Sequence, residues 1–356
     1  MKEVDVLIIG QGICGTFLSY YLQQEELTYA VIDDADPGTP SRIAAGIINP
    51  VTGRRLVTVW MVNEVLPFAW KAYNEIGDDL NIRAIHHRDL VDFFPSPFVR
   101  EAFLEKIKTG DQYVHTYPEQ NEFNPYFRYE FGCGQIRPVY TIDLGALLPA
   151  WRKQLIHQQA LHEEKFELDA LTIHDDGVEY KDIRARRIVF CDGTNSFENP
   201  YFKALPFAPN KGEFVTVRIP GLPDKFVYKK SMLLVPLPEA DMFWLGASYD
   251  WNFEHTDPTP EFYKKCEAVL NDWIKGDWQI ESHRAGMRPA TLERRPFVGF
   301  HPLHPSIGIL NGMGTKGCSL GPFFAKQLSE HIARDTPISK DADVKRFAKV
   351  LSRSQA

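Results

Sequence analysis

The first apolar run of the chain, VDVLIIG at residues 4–10, is rich in Val and Ile and carries one polar side chain, Asp5. Such a run predicts a strand covered on both faces, as in a parallel sheet. It leads straight into GQGICG (10–15), after which apolar positions 17, 18, 21 and 22 mark one face of a helix. TYAVIDD (28–34) predicts a second strand. Strand, glycine turn, helix and strand make one βαβ unit.

The pattern then changes several times. LVTVWMVNEVLPFAW (56–70) reads as a core helix; its Asn63, Glu64 and Pro67 leave it short of the roughly 20 apolar residues of a membrane span. GQIRPVYTIDLGALLPAW (134–151) reads as a strand and turn entering a helix at 143–151, and residues 164–196 as short strands with a turn at Asp175, Asp176 and Gly177. RIVFCDG (187–193) is again an apolar strand ending in glycine, a late return to the parallel sheet. That return makes residues 76–133 an excursion into another domain. From 211 to 251 the chain alternates in GEFVTVRI, KFVYKKSMLLVPL and DMFWLGASYDW, as a mixed or antiparallel sheet does. PEFYKKCEAVLNDWI (260–274) predicts a helix, residues 307–333 a strand, glycine loop and helix, and the tail 341–356 a short amphipathic helix. The expected class is α/β (α+β overall): a Rossmann-like dinucleotide-binding domain from 1–75, 135–208 and 288–356, with a sheet-rich substrate domain inserted from 76–134 and 209–287.

Composition narrows the function classes. The chain has 356 residues, 44% hydrophobic and 24% charged, with net charge −7. The acidic balance argues weakly against a nucleic-acid binder, which usually presents a basic face. Five scattered cysteines, without a C-x-x-C pair, argue against a disulfide framework or structural zinc and for a reducing, cytoplasmic compartment. No metal site is expected, and the start of the chain does not read as a signal peptide.

The glycine turn carries the first chemistry. Gly10 lets the chain turn, Gly12 lets backbone approach a pyrophosphate, and Gly15 lets helix pack on strand. The helix start offers free N–H groups and its positive dipole end to phosphates. Asp33 lies 18 positions after Gly15 (33 − 15), near the ~20 expected of an acid that binds ribose hydroxyls. Asp34 competes for that role, but the strand pattern favours Asp33. A carboxylate there would repel a 2′-phosphate and so argues against NADP; the motif alone does not choose between FAD and NAD. SRIAAG (41–46) adds small residues that let a flat ring or phosphate approach the backbone.

The ordered set GQGICG with Asp33, SRIAAG, IVFCDGTNS, KGE (211–213), MRPATLERRPFVG (287–299) and GMGTKGCSLGP (312–322) resembles the D-amino-acid oxidase, glycine oxidase and sarcosine oxidase superfamily over nearly the whole chain. The last two motifs also resemble the flavin domain of the bifunctional enzyme that finishes the modified wobble uridine of tRNA. The resemblance implies noncovalent FAD, with Gly10, Gly12, Ile13, Cys14, Gly15, Asp33 or Asp34, and Ser41 around the ADP half. It further implies Ala44, Ala45 and Gly46 along the pyrophosphate and flavin, Gly193 closing the adenine side, and Gly314, Thr315, Lys316 and Gly317 at the flavin N1/C2=O edge. Donors at a helix start suit that edge, because reduction builds negative charge there. Cys318 reads as a small packed residue rather than a flavin linkage.

The resemblance also gives the arginines of HRAGMRPATLERRPFVG (283–299) a purpose. Arg288 would grip a substrate carboxylate with two parallel hydrogen bonds, the geometry for which a planar guanidinium is suited. Arg284 is expected on the same face of the strand, and Arg294 and Arg295 near solvent. Arg54, next to Arg55, could hold a second carboxylate or assist the electron acceptor. One of Tyr228, Tyr249 and Trp251 is expected to line the pocket. The implied reaction is oxidation of the C–N bond of a carboxylate-bearing amine, amino acid or secondary amine, by hydride transfer to flavin N5, with oxygen or a quinone-linked acceptor taking the electrons. A modified tRNA nucleoside, a 2-hydroxy acid and non-catalytic flavin binding are the alternatives. The chain departs from the family pattern at Asp192 and Asn195, at Arg294 and Arg295 after Glu293, and at Leu233, where glycine oxidases carry a tyrosine.

Overall fold

A computed structural model describes residues 1–53 and 55–353. Its architecture rests on two large sheets. In the first, the strand Lys2–Ile9 lies between Tyr29–Ile32 and Ile183–Phe190, parallel to both. Ile307–Asn311 continues the parallel array on the far side of Ile183–Phe190, pairing Val189 with Gly308. The hairpin Leu171–His174 and Gly177–Tyr180 and the strand Phe297–Phe300 add antiparallel members. Residues 6–8 are fully buried, as expected of a strand with helices on its faces. The helix Ile13–Gln24 packs along Gly317–Arg334, so two helices that each follow a glycine loop lie side by side.

The second sheet has eight strands in the order Gln279–Arg288, Asn210–Arg218, Met242–Gly246, Leu233–Pro236, Val227–Lys229, Leu90–Phe93, Cys133–Ile136 and Val114–Thr116. Only Val227–Lys229 and Leu90–Phe93 run parallel; the other neighbours are antiparallel. KFVYKKSMLLVPL is therefore a hairpin of two short strands. Pro260–Trp273 covers one face, burying Phe262, Cys266, Leu270 and Trp273 in an aromatic core with Phe93, Phe127 and Tyr228.

The core helix expected at 56–70 runs instead over Val62–Leu80. Residues 56–61 are a small antiparallel hairpin segment and a turn, with Met61 at φ 54°. The apolar run begins before the helix because Leu56 and Val59 are buried from a loop rather than from a helical face. The tail forms the short helix Ala348–Arg353, beyond which 354–356 lie outside the described residues.

Candidate flavin and substrate site

The glycine loop is built as a tight cradle. Gly10 has φ 97°, and a Cβ on it would sit 2.7 Å from the Cys191 carbonyl oxygen. A Cβ on Gly15 would sit 1.9 Å from the Gly10 carbonyl oxygen, so helix and strand meet at backbone contact. The helix that follows has no cap from its own N-cap residue and no acid in its first turn, leaving its dipole and the N–H groups beyond Ile13 for an anion. Ser41 approaches from the neighbouring loop, its Oγ accepting the Ile13 N–H at 3.1 Å. Gly46 has φ 69° and lies against Ile142, whose N–H donates to the Gly46 carbonyl at 2.8 Å. Ile13 and Cys14 are buried, and burial pushes the Cys14 thiol up to about 12, which keeps it neutral.

Asp33 rather than Asp34 faces this loop. Asp33 Oδ2 accepts the Gln11 N–H at 2.8 Å, and its Oδ1 takes the Ala35 N–H at 2.9 Å. Arg152 pairs with Oδ1 at 2.6 Å and Arg42 reaches the same oxygen at 3.4 Å. Asp34 is exposed and accepts the Asp36 N–H of the neighbouring turn at 3.3 Å. Arg152 and Arg42 carry no sequence signal of their own; Arg152 comes from a helix 119 residues away.

The second helix start repeats the arrangement. Gly314–Lys316 is one 3₁₀ turn, Gly317–Arg334 follows without a side-chain cap, and no acid stands in its first turn. The Gly314 N–H donates to the Pro289 carbonyl at 3.1 Å, which ties this loop to the residue after Arg288. Thr315 is exposed. Lys316 has no acidic partner among the described residues, and burial pushes its ammonium down to about 8. Cys318 is half-buried, and its carbonyl accepts the Tyr73 hydroxyl at 2.8 Å.

Asp192 sits beside the Gly10 turn. Burial raises its carboxyl to about 7, although hydrogen bonds from Ser196 and Asn311 oppose the rise. Asn311 Nδ2 also donates to the Gly193 carbonyl at 2.7 Å, holding Gly193 at φ 58°.

Arg288 ends the strand Gln279–Arg288 opposite Asn210. Its Nη1 donates to Asn210 Oδ1, its Nη2 reaches the Ser248 carbonyl at 3.3 Å, and its guanidinium lies 5.1 Å from the Tyr249 ring centroid. Gly212 provides the floor: a Cβ there would lie 1.9 Å from Arg288 Nη2. A glycine inside a strand pattern is the one sequence signal that could have pointed to this close approach. Arg288 has no carboxylate partner among the described residues, and burial lowers its pKa.

The remaining arginines and aromatics separate. Arg284 shares the strand face of Arg288, but its Nη2 donates to the Pro37 carbonyl at 2.9 Å. Arg294 is exposed at φ 55°, and Arg295 lies 4.2 Å from the Trp60 ring centroid. Arg54 lies outside the described residues. Tyr228 is withdrawn from the pocket: it is fully buried among Phe123, Phe127 and Phe226, with its hydroxyl donated to the Pro223 carbonyl at 2.7 Å. Its strand face is turned into the aromatic core, a choice that alternation alone leaves open. Leu233 pairs with Gly246 across the sheet.

Two uncapped helix starts, a backbone-tight glycine cradle and an acid at the end of the second strand fit the anionic dinucleotide FAD. They define a flavin-binding oxidoreductase fold. Residues 5–331 match the family described as FAD dependent oxidoreductase (DAO), and the chain belongs to that family. Glycine oxidase of Bacillus subtilis (strain 168) is 23% identical over 362 residues, covering 93% of this chain and 93% of that protein. The tRNA 5-methylaminomethyl-2-thiouridine biosynthesis bifunctional protein MnmC of Shewanella pealeana is 27% identical over 133 residues, covering 27% of this chain and 21% of that protein. The structure of iminodiacetate oxidase (IdaA) from Chelativorans sp. BNC1 shares the fold at a TM-score of 0.76 and 19% identity, over 95% of this chain and 98% of that one. L-proline dehydrogenase from P. horikoshii does so at 0.74 and 15%, over 99% and 98%. Among the described residues no helix is long and apolar enough to cross a membrane, and no cluster of His, Cys, Asp or Glu is placed to hold a metal ion.

Proposed function

We propose that this FAD-dependent oxidoreductase oxidises the C–N bond of an amino acid or secondary amine that carries a carboxylate. The observation that carries the reading is Arg288: a partly buried guanidinium with no carboxylate partner among the described residues. A buried arginine without an anion is unfavourable, and a substrate carboxylate would restore the balance with charge-assisted hydrogen bonds. Asn210 and the Ser248 carbonyl orient the fork before substrate arrives. The names of the relatives, glycine oxidase and iminodiacetate oxidase among them, agree with such a substrate.

FAD supplies the two-electron acceptor when bound. In this reading Gly10, Gly12, Gly15, Ser41 and Asp33 hold its ADP half, with Ile13 and Cys14 in the first helical turn beneath it. Ala44, Ala45 and Gly46 flank the middle, Gly193 closes the adenine side, and Gly314, Thr315, Lys316 and Gly317 face the flavin. The Lys316 ammonium would add positive charge below about pH 8. Arg288 and its neighbours contribute position and electrostatics, which this chemistry needs more than a dedicated base. Oxygen uptake against dye reduction decides between oxygen and a quinone-linked acceptor.

The test is anaerobic bleaching of the flavin spectrum by a panel of amino acids, N-methyl amino acids and 2-hydroxy acids. Bleaching by amines, and its loss in Arg288→Ala with FAD retained, is the expected outcome. Full activity of Arg288→Ala, or bleaching by 2-hydroxy acids alone, sinks the reading.

A further inference from the structure

The segment 248–259 crosses the end of the strand pair that carries Arg288, and it is held at both of its ends. At the near end, the Ser248 N–H donates to the Glu213 carbonyl at 3.0 Å and the Glu213 N–H to Ser248 Oγ at 2.8 Å. Asp250 and Lys211 exchange backbone hydrogen bonds at 3.0 and 2.9 Å. At the far end, Lys211 Nζ donates to the Asp257 carbonyl at 2.6 Å, and Glu213 Oε2 accepts the Thr259 N–H at 2.6 Å. Lys211 and Glu213 are 2% and 4% exposed and pair with each other at 3.3 Å. His283 Nε2 adds a third contact, 3.1 Å from Glu213 Oε2.

Burying an ion pair is a poor way to gain stability. This one fixes the far end of a loop whose near end the backbone of the same two residues already holds, so its effect is to preorganise what the loop carries. The loop carries two large aromatic side chains turned to solvent. Tyr249 is 54% exposed and Trp251 47%, with ring centroids 5.5 Å apart at 69°, two walls of an open corner. Tyr and Trp side chains on a fastened backbone offer contact area at low entropic loss, the habit of recognition surfaces rather than of cores. The corner begins where Arg288 ends, since the guanidinium lies 5.1 Å from the Tyr249 centroid and hydrogen-bonds the Ser248 carbonyl.

We propose that Tyr249 and Trp251 form the subsite for a substrate side chain, and that the substrate is an amino acid bearing an aromatic or large apolar group rather than glycine. This rests on the reading of Arg288 as the carboxylate clamp. The spacing suits it: the Tyr249 ring lies 5.1 Å from the clamp and the Trp251 ring 5.5 Å from Tyr249. A single carboxylate on Arg288 then places the attached apolar group in the corner.

Binding of unreactive carboxylates to the holoenzyme, read from the flavin absorption spectrum, tests this without turnover. Indole-3-acetate and phenylacetate are expected to bind at least tenfold more tightly than acetate. Trp251→Ala, at an exposed position that leaves the core intact, is expected to remove roughly tenfold of that preference, the scale of one aromatic pair, with acetate affinity unchanged. Aromatic carboxylates binding no better than acetate, or a Trp251→Ala loss equal for all three, overturns the subsite. Arg288→Ala separates the two ideas: if it leaves acetate binding intact the clamp fails, while the Trp251→Ala preference still decides the corner.

Discussion

Replacing Gly212 with alanine tests the clamp through steric contact alone. The new Cβ would lie 1.9 Å from Arg288 Nη2, 2.2 Å from Cζ and 2.5 Å from Nη1. The obstructed atoms are the far end of a flexible side chain, so the strands can stay in place while the guanidinium withdraws. It must retreat about 1.5 Å to reach ordinary van der Waals contact, half the length of a hydrogen bond. Each charge-assisted hydrogen bond lost is worth roughly 1.5–3 kcal/mol, or about 10- to 150-fold in affinity. Rapid-mixing reduction under anaerobic conditions would report this. The apparent dissociation constant of a carboxylate-bearing amine is expected to rise at least tenfold in Gly212→Ala, while FAD affinity is retained. The matched amine without its carboxylate should be affected far less. An unchanged dissociation constant, or equal losses for the two amines, refutes the view that Gly212 clears room for a carboxylate clamp.

Two further outcomes are expected at the cofactor cradle. Asp192, whose burial raises its carboxyl to about 7 from 3.8, stays protonated longer in the folded chain than in the unfolded one. Its contribution is therefore fully present below about pH 4 and is lost as pH rises through 7. Asp192→Asn keeps an oxygen for the Ser196 and Asn311 donors and should gain on the wild type between pH 5 and 8, by roughly 2–4 kcal/mol; parallel urea-unfolding curves at the two pH values would contradict this. Asp33→Ala should weaken FAD by about 10- to 100-fold, the scale of hydrogen bonds to a charged group, and leave Arg42 and Arg152 without their shared carboxylate. Titrating apoprotein with FAD and with FMN checks it, because equal losses for both would remove the ribose from the explanation.

Local constraints leave the clearest marks in this sequence. The strand–glycine–helix unit depends on contacts within some thirty residues: Gly10 must turn, Gly15 must leave out a Cβ that would lie 1.9 Å from the Gly10 carbonyl oxygen, and Asp33 accepts the Gln11 N–H. Each of these leaves its mark on residue type: only glycine satisfies the geometry at 10 and 15, and position 33 needs a short acceptor side chain. Tyr228 shows the limit. Period-2 alternation places it on a strand but is equally compatible with either face, and the packing of Phe93, Phe127 and Trp273 decided that it is core. The helix expected at 56–70 shows another, because apolar residues of a buried loop count the same as those of a helix.

By itself the sequence determined the βαβ unit, the glycine loops, the acid at the end of the second strand and the glycine in KGE. At the glycines backbone geometry restricts the residue, and at Asp33 the need for a charged acceptor does. Only the tertiary structure decided that Arg152 and Arg42 share Asp33, that Arg288 lies between Asn210, Ser248 and Tyr249, and that Lys211 and Glu213 fasten both ends of one exposed aromatic loop. Those contacts join residues 35 to 119 positions apart, apart from the short Arg42 link. At such separations any flexible polar side chain could serve from many places in the chain, so residue type carries no trace of its partner until the sheets are assembled.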